Sequence, residues 1–220
     1  MSAVDRPVPQ VSVRGEAVLV VEPEVADLGV TVRVRARDRE TALERCRDRQ
    51  EQVTEVVRAA GNAVESAETT TVAVYLEHHH NGPGDPVASQ HTRVRIGALD
   101  VVGDLVVALG RLDDVEVTGP SWGLRPDSPA DERARMAAVS DAVRRARSYA
   151  AAFGAELTAL LEVSDPGISG RGLRVAGATA AMAFEAGDLS LDVTPMRLEV
   201  HGAVEVRFAM SEPEQEVFRG

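Results

Sequence analysis

The stretch Ser128–Gly154, SPADERARMAAVSDAVRRARSYAAAFG, decides the fold because it is the longest continuous helical pattern in the chain. Ser128 stands where a hydroxyl caps a helix, Pro129 occupies the first helical position, and Asp131 places a carboxylate where the helix dipole favours it. Met136, Val139, Val143, Ala146, Ala150 and Phe153 then recur at steps of three and four. Asp131, Glu132, Arg133, Arg135, Arg144 and Arg147 mostly fall outside that stripe, so the pattern predicts one packed face and one wet face. Gly154 follows the last apolar turn, where a residue without Cβ takes the left-handed conformation that ends a helix.

Working outward, a second helical stripe begins after Asp38, a capping residue, and runs through Leu43, Cys46, Val53, Val57 and Ala60, with Gln50 in its one polar position. Gly61 and Asn62 stop it. The two stripes share a rhythm, which predicts two helices lying side by side on one face of a sheet. The sheet itself is written in alternation. Val13, Gly15, Ala17, Leu19 and Val21 alternate with polar residues, and after Pro23 so do Leu28, Val30, Val32, Val34 and Ala36; these two strands are expected to form an antiparallel hairpin. Val72, Val74 and Leu76, then Val94, Ile96 and Ala98, flank the turn-rich stretch Asn81–Pro86 and predict a second hairpin. A shorter helix from about Asp100 to Leu112, a strand near Val115–Leu124 carrying the only tryptophan, Trp122, and strands at Leu157–Val163 and Leu198–Met210 complete the order β-β-α-β-β-α-β-α-β-β. The fold class is therefore α+β: an antiparallel-rich sheet of about seven strands, with two long helices and one shorter helix on one face. Residues 1–9 read as a flexible lead-in, 10–211 as a single domain with a Gly/Ala-rich loop at 165–194, and 212–220 as an acidic tail.

Composition narrows the function. Net charge is −11, which repels phosphate backbones and anionic membranes at long range, so no nucleic-acid partner is expected. All 24 basic residues are arginine, which rules out a Schiff-base lysine and the lysine of a phosphate-binding P-loop. Only 3% of residues are aromatic, so the interior must be built from Val, Leu and Ala. The single Cys46 falls within a helical stripe and reads as a packing residue. No run approaches the ~18 apolar residues of a membrane span. Residues 1–10 have neither the basic start nor the apolar run of a secretion signal, and the chain as given is expected to be cytoplasmic.

Four stretches carry a resemblance. VSVRGEAVLVVEPEVADLGVTVRVRA (11–36), RAAGNAV (58–64), VTGPSWGLRPDSPADERARMAAVSDAVRRARSYAAAFGAEL (117–157) and MRLEVHGAVEVRFAM (196–210) stand in the order and at the spacing of the SIMPL-domain family. That family includes bacterial periplasmic and outer-membrane-associated immunogenic proteins. The resemblance implies an α+β fold, ring-like oligomers in some relatives, no shared catalytic motif, and a function left undefined. Many relatives carry a signal peptide, and the chain as given is expected to depart from them in lacking one.

Several constellations invite a chemical reading. Glu77, His78, His79, His80, Asp85 and His91 cluster across the second hairpin; His78 and His80 project from one strand face, and His91 on the return strand offers a third nitrogen of the kind zinc accepts. The plainer reading is a polar strand end beside a wet turn, and no ligand motif supports the metal. Arg33, Arg35 and Arg37, with Arg93 and Arg95, form a basic stripe suited to an acidic ligand or a Glu-rich subunit surface, unless Glu77, Glu199 and Glu205 balance it as a solvated face. Gly170-Arg171-Gly172 with Gly177 fails the dinucleotide fingerprint, and Ala178–Phe184 is an apolar patch in the same loop. Ser140, Asp141 and His201 lack any nucleophile-elbow context. The expectation is a non-catalytic domain, without cofactor, that self-associates through an exposed sheet face or edge strand and the 165–194 loop. The rival expectations are a metal-dependent hydrolase using His78, His80 and His91, and a binding module for an unidentified small molecule under the glycine-rich loop.

Overall fold

The structure, a computed structural model, describes residues 8–77, 84–165, 191–214 and 216. Its strands are β1 (Gln10–Val21), β2 (Val25–Arg35), β3 (Val64–Leu76), β4 (Pro86–Ile96), β5 (Val115–Gly123), β6 (Leu157–Ser164) and β7 (Leu198–Met210). The helices are α1 (Arg39–Ala59), α2 (Val102–Gly110) and α3 (Ala130–Ala152). Element order, strand number and the α+β class agree with the sequence reading. The strands, however, divide between two antiparallel sheets, ordered β1-β7-β6 and β3-β4-β2-β5.

This partition corrects two expectations. β1 and β2 do not form a hairpin: β1 pairs along its length with β7, from Gln10 opposite Ala209 to Val21 opposite Leu198, while β2 lies between β4 and β5. The two long helices do not share one sheet either. α1 packs on β4 and β2, whereas α3 packs on β1 and β7. Alternation fixes which face of a strand is buried and says nothing of which strand lies alongside. The β3–β4 hairpin does form, with Thr71–Leu76 opposite His91–Pro86.

The chain separates into two compact units. One holds β1, α3, β6 and β7. Its helix buries Ala130, Ala134, Ala138, Ala142, Ala146 and Ala150, a stripe at steps of four. The expected face is thus turned: Met136 is 56% and Phe153 40% exposed, and of the predicted stripe only Ala146 and Ala150 are fully buried. The reason lies across the interface. A Cβ built on Gly15 would fall 2.7 Å from the Ala142 Cβ and closer still to the Ala138 carbonyl oxygen; one on Gly202 would fall 2.8 Å from the Arg135 nitrogen, with the Ala134 carbonyl nearer. Helix and sheet meet backbone to backbone, where only alanine fits. The end of α3 follows the sequence, with Gly154 at φ 65° beside an Ala155 N–H that donates to Ala150 O at 2.9 Å, whereas the cap at its start falls on Pro129, one residue later than expected, and Ser128 Oγ accepts the Ala130 N–H at 3.3 Å.

The second unit holds β2 to β5, α1, α2 and the segment 191–197. Leu28, Val30, Val32 and Val34 of β2 point into a core with Val94, Ile96, Val53 and Leu109. Asp38 caps α1 by accepting the Thr41 N–H at 2.8 Å. Cys46 is buried as expected for a packing residue, and burial pushes its thiol pKa up, away from the reactive thiolate. Gln50 reaches the buried Thr92 hydroxyl at 3.4 Å, which explains the polar position in that stripe. Leu43, assigned to the same stripe, is exposed instead. Of the Gly/Ala-rich loop, Leu191 and Val193 pack against this core beside α2, where a Cβ on Gly103 would collide with the Leu191 carbonyl.

Candidate functional site

Because Leu28 to Val34 take the inward positions of β2, the intervening Asp27, Thr31, Arg33 and Arg35 fall on the outward face of the four-stranded sheet. Pairing with β4 sets Asp27 opposite Arg95, Thr31 opposite His91 and Arg33 opposite Ser89. The groups on this face are largely matched to one another. Arg95 forks onto Asp27 through two hydrogen bonds of 2.9 Å. Arg33 reaches Glu77 at 2.7 Å and Arg35 bonds the other oxygen of the same carboxylate. Arg37, at the end of the stripe, lies 3.5 Å from Asp38 and is otherwise exposed. The corner formed by Arg33, Arg35 and Glu77 therefore carries a net single positive charge rather than two.

The histidine set is only partly placed. His78 and His80 lie outside the described residues, as do Gly170, Gly172, Gly177 and residues 178–184. His91 faces outward from β4 with its Nδ1 2.8 Å from Thr31 Oγ1, and Glu77 is engaged by two arginines. Among the described residues, no group of three His, Cys, Asp or Glu side chains is arranged to hold a metal ion. Ser140, Asp141 and His201 do not come together as a catalytic set. Ser140 Oγ donates to the Met136 carbonyl, Asp141 accepts from the Glu16 backbone, and His201 sits on β7 opposite Val18, 3.7 Å from Glu199.

Asp141 has a role that the sequence reading missed. Its Oδ2 accepts the Glu16 N–H at 3.2 Å, and one turn further Arg145 donates to the Arg14 carbonyl oxygen at 2.6 Å, so two side chains of α3 occupy the outer edge of β1. The close approach at Gly15 brings α3 near enough to reach that edge. The i,i+4 acid–base spacing was visible in the sequence; its target was not. The Glu16 N–H first, and Arg144 second, hold the Asp141 carboxyl below its ordinary 3.8. Thr41 does the same for Asp38. A depressed folded-state pKa gives stability that is present above the unfolded value and is lost as pH falls through the folded one. Asp141→Asn is therefore expected to lower the melting temperature at neutral pH, with a gap from the parent that narrows below pH 3.8. Melts recorded from about pH 6 to pH 2 check this, and a gap constant across the range would refute it.

A second feature of this unit is an open hollow of about 610 Å³ between α3 and β6, lined by Val143, Arg147, Ala151, Leu157, Leu160 and Phe208. It exists because α3 sits over β1 and β7 and scarcely reaches β6. Exposed apolar side chains gather on the strands that border the two sheets: Val18 and Val20 on β1, Val72 and Val74 on β3, Leu160, Leu161 and Val163 on β6.

The molecule so described is an antiparallel α+β protein whose singled-out polar groups, where described, mostly brace its own strands and helix ends. Residues 11–208 match the SIMPL family, a protein of unknown function (DUF541), and the chain belongs to that family. No curated protein matches it. No helix among the described residues is long and apolar enough to cross a membrane.

Proposed function

We propose that this SIMPL protein acts by associating with copies of itself rather than by catalysis. The observation that supports the reading is that many of the exposed apolar side chains lie on the border strands β1, β3 and β6, and a strand edge that nothing caps also presents backbone donors and acceptors. Such a strand offers another chain both hydrogen bonds and apolar contact. Repulsion between copies that each carry −11 opposes association at low salt, so the assembly is expected to tighten as ionic strength rises. Light scattering over a wide concentration range, at low and at physiological salt, tests this. Masses of more than one copy that grow with concentration and salt are expected. A single-copy mass throughout would overturn the reading.

A further inference from the structure

We propose that the self-association surface is the outer edge of β3 along Thr71–Tyr75, and that it pairs antiparallel with the same segment of a second copy, closing at two subunits. The inference rests on the self-association reading and assigns it an edge.

Among the described residues each of the four border strands presents an edge, and three are obstructed. On β1 the Arg14 carbonyl and Glu16 amide are taken by Arg145 and Asp141. β5 contains Pro120, which has no N–H to offer, and its register against β2 shifts between Asp27 and Gly29. β6 has two register shifts against β7 in its 8 residues, so its longest regular run is Glu162–Ser164. Bulges, prolines and charged side chains are the devices by which sheet edges are kept from pairing with other chains.

The second half of β3 carries none of them. Its register shifts fall earlier, between Val64 and Ser66 and between Thr69 and Thr71. Beyond these, Thr71–Leu76 runs regularly against β4, and the sequence from Thr69 to Leu76, TTTVAVYL, contains no charge and no proline. Val72 is 63% and Val74 39% exposed. The Glu77 N–H donates to the Asp85 carbonyl at 3.0 Å, which sets the phase of the ladder: odd-numbered residues bond β4, while the amides and carbonyls of Val72 and Val74 point outward.

A second copy suits this edge for reasons of charge and symmetry. In a chain carrying −11, an uncharged run is where two copies approach with least repulsion. A two-fold axis at Ala73 places Val72 opposite Val74 of the partner subunit, so that outward amides meet outward carbonyls and β-branched side chains face each other. Such pairing consumes the edge in both copies. The regular run is about 20 Å long. That makes a small interface beside the roughly 1,000 Å² that stable complexes exceed, so the dimer is expected to dissociate on dilution.

The test is the solution mass of the full chain and three variants. Val74→Pro removes an outward donor while leaving the bonds to β4 intact; Val72→Lys with Val74→Lys places charge on the strip without touching the backbone. Both are expected to give single-copy masses at concentrations where the parent is a dimer. Leu160→Lys on β6 is expected to stay dimeric. A parent that is a monomer at every concentration overturns this inference together with the reading beneath it. A dimer that survives both β3 variants overturns the edge assignment alone, and a parent assembly larger than two copies overturns the closure.

Discussion

Gly202→Ala is expected to destabilise the unit of β1, β7, β6 and α3 by about 3 kcal/mol or more, the upper end of what overpacking costs. The single added methyl would meet the Ala134 carbonyl group and lie 2.8 Å from the Arg135 nitrogen, all backbone atoms of α3. A flexible side chain can swing away from such a contact, but a helix backbone can only lift. Lifting α3 opens the row of alanines that packs on β7, and each alanine is too small to bridge the gap it leaves. Gly15→Ala is expected to act in the same direction, against the Ala138 carbonyl and the Ala142 Cβ 2.7 Å away. It also pushes the helix from the strand whose edge Asp141 and Arg145 occupy. Urea unfolding followed by circular dichroism measures both. A loss below about 1 kcal/mol at either site would mean that helix and sheet are not in backbone contact there.

Leu28→Ala is expected to cost about 3–4 kcal/mol in the other unit. Leu28 is fully buried in β2, the strand flanked by β4 and β5, within a core that includes Ile96, Leu109 and Val94. The cost of such a truncation is the lost transfer energy plus the cavity that the surroundings fail to fill. Here the neighbours are largely valine and alanine, stiff or short side chains with little reach. With only 3% aromatic residues in the chain, few large side chains are available to tilt into the space. Leu28→Met, which keeps the volume, is expected to retain most of the stability, within about 1.5 kcal/mol of the parent. Equal losses for the alanine and methionine variants, read from the same urea transitions, would point to strain rather than a cavity.

Much of the architecture was legible because local patterns are strong signals. The alternation at Leu28–Val34 and Leu198–Met210, the cap at Asp38, the stop at Gly154 and the polar slot at Gln50 all correspond to structure at those residues. The face of α3 was misread for a physical reason. Size ranked Met136 and Phe153 as packing residues, but glycines far away in sequence, Gly15 and Gly202, leave room only for the alanines. The candidate site divides in the same way. The charges of Arg33 and Arg35 were visible, whereas their convergence on one carboxylate, Glu77, depends on which strands are neighbours.

The amino-acid sequence by itself determined the order of strands and helices, the α+β class and the inward faces of β1, β2 and β7, since these follow from residues within a few positions of one another. Only the tertiary structure decided that the strands divide into two sheets, that α3 buries its alanines, and that the edge of β1 is occupied while Thr71–Leu76 of β3 runs regular and uncharged. Pairing partners, close approaches and edge caps are contacts between residues far apart along the chain, and a periodic pattern carries no record of them.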